Sequence, residues 1–189
     1  MPARPMTRGS NVALTREIPG LKGVVLGVVL ASPERVLNDN LVVATLLCDA
    51  SSQVLSREHV VFFNQLTSPD TAVAQLERAR ASGDLEQVEV DLGGVPDDVV
   101  RIVVVAYIND GLGHRRSLGQ LRDARVRVLD LADDTELVTS ENLAPALSAE
   151  TGLVLAELYR HGGDWKFKVV GQGYADGILG ILRDHGLAP

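Results

Sequence analysis

The chain has 189 residues, of which 46% are hydrophobic and 23% charged, a balance that fits a soluble globular fold and excludes wholesale disorder and membrane embedding. Its formal net charge of -7 repels nucleic acid and anionic membranes, and the basic cluster His114, Arg115 and Arg116 is too narrow to track a phosphate backbone. Aromatic residues make up 4%, so the core must be built from Val, Leu, Ile and Ala.

Residues 1–9 carry two Pro, two Arg and a Gly and read as a flexible tail, leaving 10–189 as the folded domain. The segment "MPARPMTRGSNVAL" has positive charge but no apolar stretch of the kind a secretory signal needs, and a cytoplasmic protein is expected. The first strand is expected over Asn11 to Leu14 and the second over Gly23 to Leu30, where "GVVLGVVL" is β-branched and short for a helix. "LVVATLLCD" from Leu41 and "HVVFFN" from His59 flank a polar turn, as the arms of a hairpin do. Thr71 to Ala81, "TAVAQLERARA", places Val73, Leu76 and Ala79 near one face and predicts a helix.

Further along, "QVEVDL" from Gln87 alternates as a half-exposed strand does, and "RIVVVAYIN" from Arg101 has the continuous apolar character of an internal strand. "GGVPDDVV" between them fits a short helical turn. "RVRVLDL" from Arg125 and "TELVTSENL" from Thr135 are joined by "ADD", a second hairpin signal. Two more strands surround the turn His161 to Asp164, with Trp165, Phe167 and Val169 on one face and Lys166 and Lys168 on the other. Asp176 to His185 has helical periodicity and ends at Gly186, a residue suited to a helix C-terminus. Eight to ten strands with few helices predict a mainly β fold, a two-sheet β-sandwich with a few short helices, one of them near the C-terminus.

The stretch "VVGQGYADG" resembles a nucleotide-binding loop, because Gly171, Gly173 and Gly177 lie between a strand and a helix. A dinucleotide fingerprint opens a βαβ unit, however, and only twelve residues follow Gly177. The structural alternative is that these glycines permit positive φ and close packing at a strand-to-helix corner. His59, His114, His161 and His185 do not share metal-ligand spacing. Asp97/Asp98 and Asp133/Asp134 fall in expected turns, where carboxylates bond their own backbone. Cys48 is the one cysteine, which excludes an intrachain disulfide, and its apolar setting predicts a buried, inert thiol.

Several stretches together resemble the TerD domain of tellurite-resistance and bacterial stress-response proteins: "GSNVALTREIPGLKGVVLGV", "VVFFNQLTSPDTAV", "EVDLGGVPDDVVRIVVVAYIND", "LGQLRDARVRVLD" and "ETGLVLAELYRHGGDWKFKVVGQGYADG". The last is the most specific. The resemblance implies a β-sandwich and calcium binding through two acidic stretches, both of which depart from the family pattern here. The first follows a Gly-x-Gly-Trp-Asp strand end and reads approximately Asp-x-Asp-Leu-Asp-Ala-Ser. In this chain Leu30 and Ala31 stand where Trp and Asp are expected, and the stretch becomes "NDNLVVA", with Asn38, Asp39 and Asn40 as remaining oxygen donors and Val42 unable to ligate. The second is shortened to "QLERARASGDLE", keeping Asp84 and Glu86 while introducing Arg78 and Arg80, cations that oppose a divalent ion by direct repulsion.

The resemblance therefore implies a non-enzymatic interaction or scaffold module of a stress-response system, with protein partners that include other members of the same family and with calcium binding weakened or lost. One alternative is a calcium-binding domain that uses Asn38, Asp39, Asn40, Asp84 and Glu86 as residual ligands. Another is a small-molecule or nucleotide-binding protein using the Gly171 to Gly177 corner. Nucleic-acid binding and membrane insertion are not expected.

Overall fold

The computed structural model describes residues 2–76, 83–109 and 116–188. Period-2 alternation puts one side of each long strand against a shared core, and the strands are ordered so that two sheets face each other across it. The first sheet contains β1 (Arg4–Met6), β3 (Gly23–Ala31), β6 (Val73–Gln75), β7 (Glu86–Asp91), β9 (Asp123–Asp130) and β10 (Glu136–Ser140), in the order β1-β10-β9-β3-β7-β6. The second contains β2 (Asn11–Ala13), β4 (Leu41–Cys48), β5 (Val60–Val61), β8 (Arg101–Ile108), β11 (Gly152–His161) and β12 (Asp164–Tyr174), in the order β2-β12-β11-β8-β4-β5. Short helices α1 (Leu14–Glu17), α2 (Arg35–Asn38) and α3 (Gly177–Asp184) complete the mainly β fold expected from the sequence.

Val24, Leu26 and Val28 of β3 face Val104 and Ala106 of β8 in one apolar core, to which β12 adds Trp165, Phe167 and Val169. Each such buried aliphatic side chain contributes roughly 1.5–3 kcal/mol. β11 carries an irregularity: Val154 pairs Val105 while Ala156 pairs Val104, so Leu155 is an extra residue. Its consequence is that Leu155 and Ala156, although adjacent, both enter the main core, while Val154 turns to the outside of the sheet. There Val154 joins Ala44, Leu46, Val103 and Val105 beneath Ile181 of α3. The helix thus covers the outer face of the second sheet.

Three expectations need correction or adjustment. Arg4–Met6 belongs to the fold, not to a loose tail: β1 pairs in parallel with β10, and Met6 is buried in the main core. The helix expected over Thr71 to Ala81 does not form in its described part. Val73–Gln75 is a strand pairing antiparallel with β7, Thr71 has φ 64°, outside the helical region, and residues 77–82 lie outside the described residues. Sheet pairing there satisfies the backbone and buries Val73, which outweighs a helical apolar period. The segment 92–98 forms turns without a helix.

Candidate functional site

The residues assigned to calcium by family resemblance occupy two places, and most have other partners. In the first, Ser32 N donates to Asn38 Oδ1 at 2.8 Å while Asn38 Nδ2 donates to Ser32 O at 2.8 Å. The amide thereby closes the loop that carries the chain from β3 through α2 to β4. Asn40 Nδ2 donates to Val36 O at 2.8 Å. Asp39 is exposed and lies 3.7 Å from Arg35 Nε, one helical turn away. Val42, in β4, sits in the ladder opposite Tyr107 and offers no side-chain oxygen.

The second place is built on the outer face of the first sheet. Gly27 in β3 pairs with Gln87 in β7 on one side and Arg127 in β9 on the other. Asp84, just ahead of β7, lies over this row. Its Oδ1 accepts from Arg127 Nε at 2.9 Å, and its Oδ2 accepts from Arg127 Nη2 at 2.7 Å and from Gln87 Nε2 at 2.7 Å. The Asp84 side chain is only 1% exposed and that of Arg127 19%, so this is a two-pronged, largely desolvated ion pair. The hydrogen bond to Asp84 raises the pKa of Arg127 further above its already high ordinary value. A side chain at position 27 would collide with the pair, because a Cβ there would stand 2.7 Å from Asp84 Oδ2 and 3.1 Å from Arg127 Cγ.

Glu86 is half-buried, and desolvation raises its carboxyl pKa above the usual range. In β7 it pairs with Val28, whose side chain belongs to the core, whereas Gln87 is in register with Gly27. Asp84 and Glu86 therefore belong to opposite faces of the sheet. A calcium shell takes six to eight oxygens. With Asp84 committed to a guanidinium and Asn38 to its own loop, the residues present do not fit that requirement. Arg78 and Arg80, the cations expected to disturb the site, lie outside the described residues.

The sequence reading missed Arg127 and Gly27. The sequence carried no signal for either, since the alternation of "RVRV" places Arg127 on the face opposite the neighbouring valines, where an arginine is ordinarily solvated.

The glycine corner has a structural explanation. Gly171 has φ +69° and lies where Val154 pairs Gln172 but Ala156 pairs Val169, so β12 also carries an extra residue. Gly177, at φ +64°, begins α3, and a Cβ on Gly152 would stand 2.9 Å from the Gly177 backbone. β12 is antiparallel to both β2 and β11, so these glycines do not lie in a βαβ unit.

Other chemically suggestive groups also have local roles. Ser56 Oγ lies 2.7 Å from His59 Nδ1 and donates to Glu58 Oε2 at 2.8 Å. In a catalytic triad the acid orients the histidine, whereas here it bonds the hydroxyl, around one short turn. Cys48 is buried, and burial pushes its thiol up to about 12, against nucleophilic use. Arg160 lies 4.4 Å over the Trp165 ring and donates to Val95 O, Pro96 O and Val99 O, tying β11 to the segment ahead of β8. The specific "ELYRHGGDW" element thus has a structural use.

The sequence pattern of the TerD domain matches residues 3–185. The chain is 33% identical over 186 residues to tellurium resistance protein TerD of Serratia marcescens, covering 96% of each chain. It is 33% identical over 187 residues to general stress protein 16U of Bacillus subtilis (strain 168), again covering 96% of each. Among solved structures, a homologue of telluride resistance protein (TerD) from Streptomyces coelicolor A3(2) superposes with a TM-score of 0.67 at 20% identity, covering 90% of this chain and 100% of that one.

Proposed function

This chain belongs to the TerD domain family, and on that footing we propose that it is a non-enzymatic interaction module of the tellurium-resistance and general stress response. Its working place is the cytoplasm, its partners are proteins that include other TerD-family members, and calcium has a weakened part or none. The observation that carries the reading is similarity over nearly the whole length to proteins named for tellurium resistance and for general stress.

Two apolar side chains at the surface support the interaction clause. Phe63 is 53% exposed at the tip of the tight turn between Phe62 and Gln65, and Leu179 is 45% exposed on α3. Aromatic side chains are enriched at protein contacts, which makes Phe63 and Leu179 the positions at which to test the reading. The test is crosslinking of the tagged chain in tellurite-stressed cells, comparing wild type with Phe63→Ser and Leu179→Ser. Partner proteins should be recovered with wild type and reduced with at least one variant. Protection from tellurite without any recoverable protein partner would overturn the scaffold reading.

A further inference from the structure

We infer that the Arg127 guanidinium is the built-in cation of the Asp84 segment, so that this end of the first sheet is fastened by an internal ion pair and not by calcium. The inference rests on the calcium clause of the reading above and deepens it by naming the device. Partner binding is a separate matter.

The first support is that three of the roughly four acceptor positions of the Asp84 carboxylate are taken, two of them by a cation. Three hydrogen-bond donors reach its two oxygens, two from Arg127 and one from Gln87, all between 2.7 and 2.9 Å. A calcium ion coordinating Asp84 would need its oxygen at about 2.3–2.6 Å and would have to displace a donor or lie beside the guanidinium charge. Either arrangement takes place where the carboxylate is 1% exposed, so water does little to screen the repulsion.

The second support is that the backbone is shaped for this pair. Gln87, Gly27 and Arg127 form one row across three adjacent strands, and the central residue lacks the Cβ that would fill the slot. Leu85 N donates to Val28 O at 2.7 Å, which lays the segment against the edge of the same slot. The carboxylate is thus delivered to Arg127 by backbone pairing as well as by charge.

The third support comes from the other assigned ligands. The Asn38 amide is engaged at both its oxygen and its nitrogen by Ser32, and reorienting it toward a metal would open the loop between β3 and β4. Glu86 belongs to the opposite face from Asp84. Two carboxylates on opposite faces of one sheet do not close around one ion.

The test uses the full chain and calcium chloride as the probe. Thermal unfolding in millimolar calcium and in EDTA should give the same midpoint, and calorimetric titration should show no saturable heat. A site with Kd 100-fold below the calcium concentration would raise the midpoint by roughly 5–11 °C in a chain of this size. Asp84→Asn, Arg127→Gln and the double variant supply the second measurement. Each single variant should lower the midpoint, and the double should fall well short of the sum, because the two side chains act as one unit. A calcium-dependent rise in the wild type overturns the inference, whether it disappears in Asp84→Asn or in Asn38→Ala. Additive losses in the double variant overturn it as well. Partner capture with EDTA present is measured alongside. Failure to capture any protein, with or without EDTA, together with no calcium shift would count against the interaction reading alone.

Discussion

Replacing Gly27 by alanine tests whether the slot across the first sheet is occupied as tightly as its geometry indicates. The new methyl would stand 2.7 Å from Asp84 Oδ2 and 3.1 Å from Arg127 Cγ, while β3 is held in register by β7 and β9 on its two sides. Relief must come from the carboxylate, and moving it weakens at least one of its three hydrogen bonds. Overpacking of this kind costs about 1–3 kcal/mol. The lower backbone entropy of the unfolded alanine chain offsets about 0.4–1 kcal/mol. The net loss is about 1–2 kcal/mol, a fall in melting temperature of roughly 2–8 °C for a chain of this length. Gly93 is the control, since a Cβ there meets nothing closer than Asp91 Oδ1 at 3.8 Å and its φ is not left-handed. Gly93→Ala should be neutral or slightly stabilising. Thermal and urea unfolding followed by circular dichroism reads both variants, and a Gly27→Ala protein as stable as Gly93→Ala would refute the tight slot.

Arg160→Ala removes donors from three carbonyls and the stack on Trp165, and should destabilise by about 2–4 kcal/mol in urea titration. Arg160→Lys should recover little of this, because an ammonium lacks the planar fork that spans those carbonyls. Gly177→Ala forces an alanine to φ +64° beside Thr151 Oγ1 and should cost about 1–3 kcal/mol in the same titration, because the corner serves the backbone. Burial holds the Cys48 thiol protonated up to about 12, so a thiol reagent should label it only on unfolding. Because its folded pKa lies above the unfolded one, the associated stability is complete below about pH 9 and declines by about 1.4 kcal/mol per pH unit above it. Cys48→Ala should flatten that part of an alkaline stability profile, and a profile unchanged by the substitution would contradict the burial argument.

The long strands were legible because each carries its own signal. "GVVLGVVL" and "RIVVVAYI" are too β-branched and too short to compete as helices, and they appear as β3 and β8 with little adjustment. Where the sequence misled, a distant partner decided the outcome. Arg4–Met6 reads as loose until β10, more than 130 residues away in the register Arg4 to Val138, offers it an edge. Val73–Gln75 has a helical apolar period, yet β7 lies alongside and Thr71 has already turned the chain to positive φ. The candidate site follows the same logic. Asp84 and Asn38 could be found as surviving oxygen donors from their positions in the acidic stretches. Their partners could not, since Arg127 is 43 residues from Asp84 and meets it only because β9 and β7 flank Gly27.

The two sheets finish their outer faces in different ways, and this explains the glycines that first suggested a nucleotide. The second sheet presents Leu46, Val103 and Val105 outward, an apolar surface that requires a cover. The extra residue in β11 turns Val154 to that side, where Val170 of β12 lies by ordinary alternation, and the corner at Gly177 then sets α3 across it. Tyr174 donates to Asp184 at 2.9 Å and so links the end of β12 to the last turn of the helix. At the start of α3, where a phosphate would have to bind, Asp176 places a carboxylate and forms an ion pair with Arg183. A negative side chain already supplies the charge that a helix N-terminus favours, and it would repel an incoming phosphate. The glycine corner is thus best understood as the hinge that lays the covering helix on one sheet. The other sheet, lacking such a helix among the described residues, carries the Asp84 and Arg127 pair on its outer face.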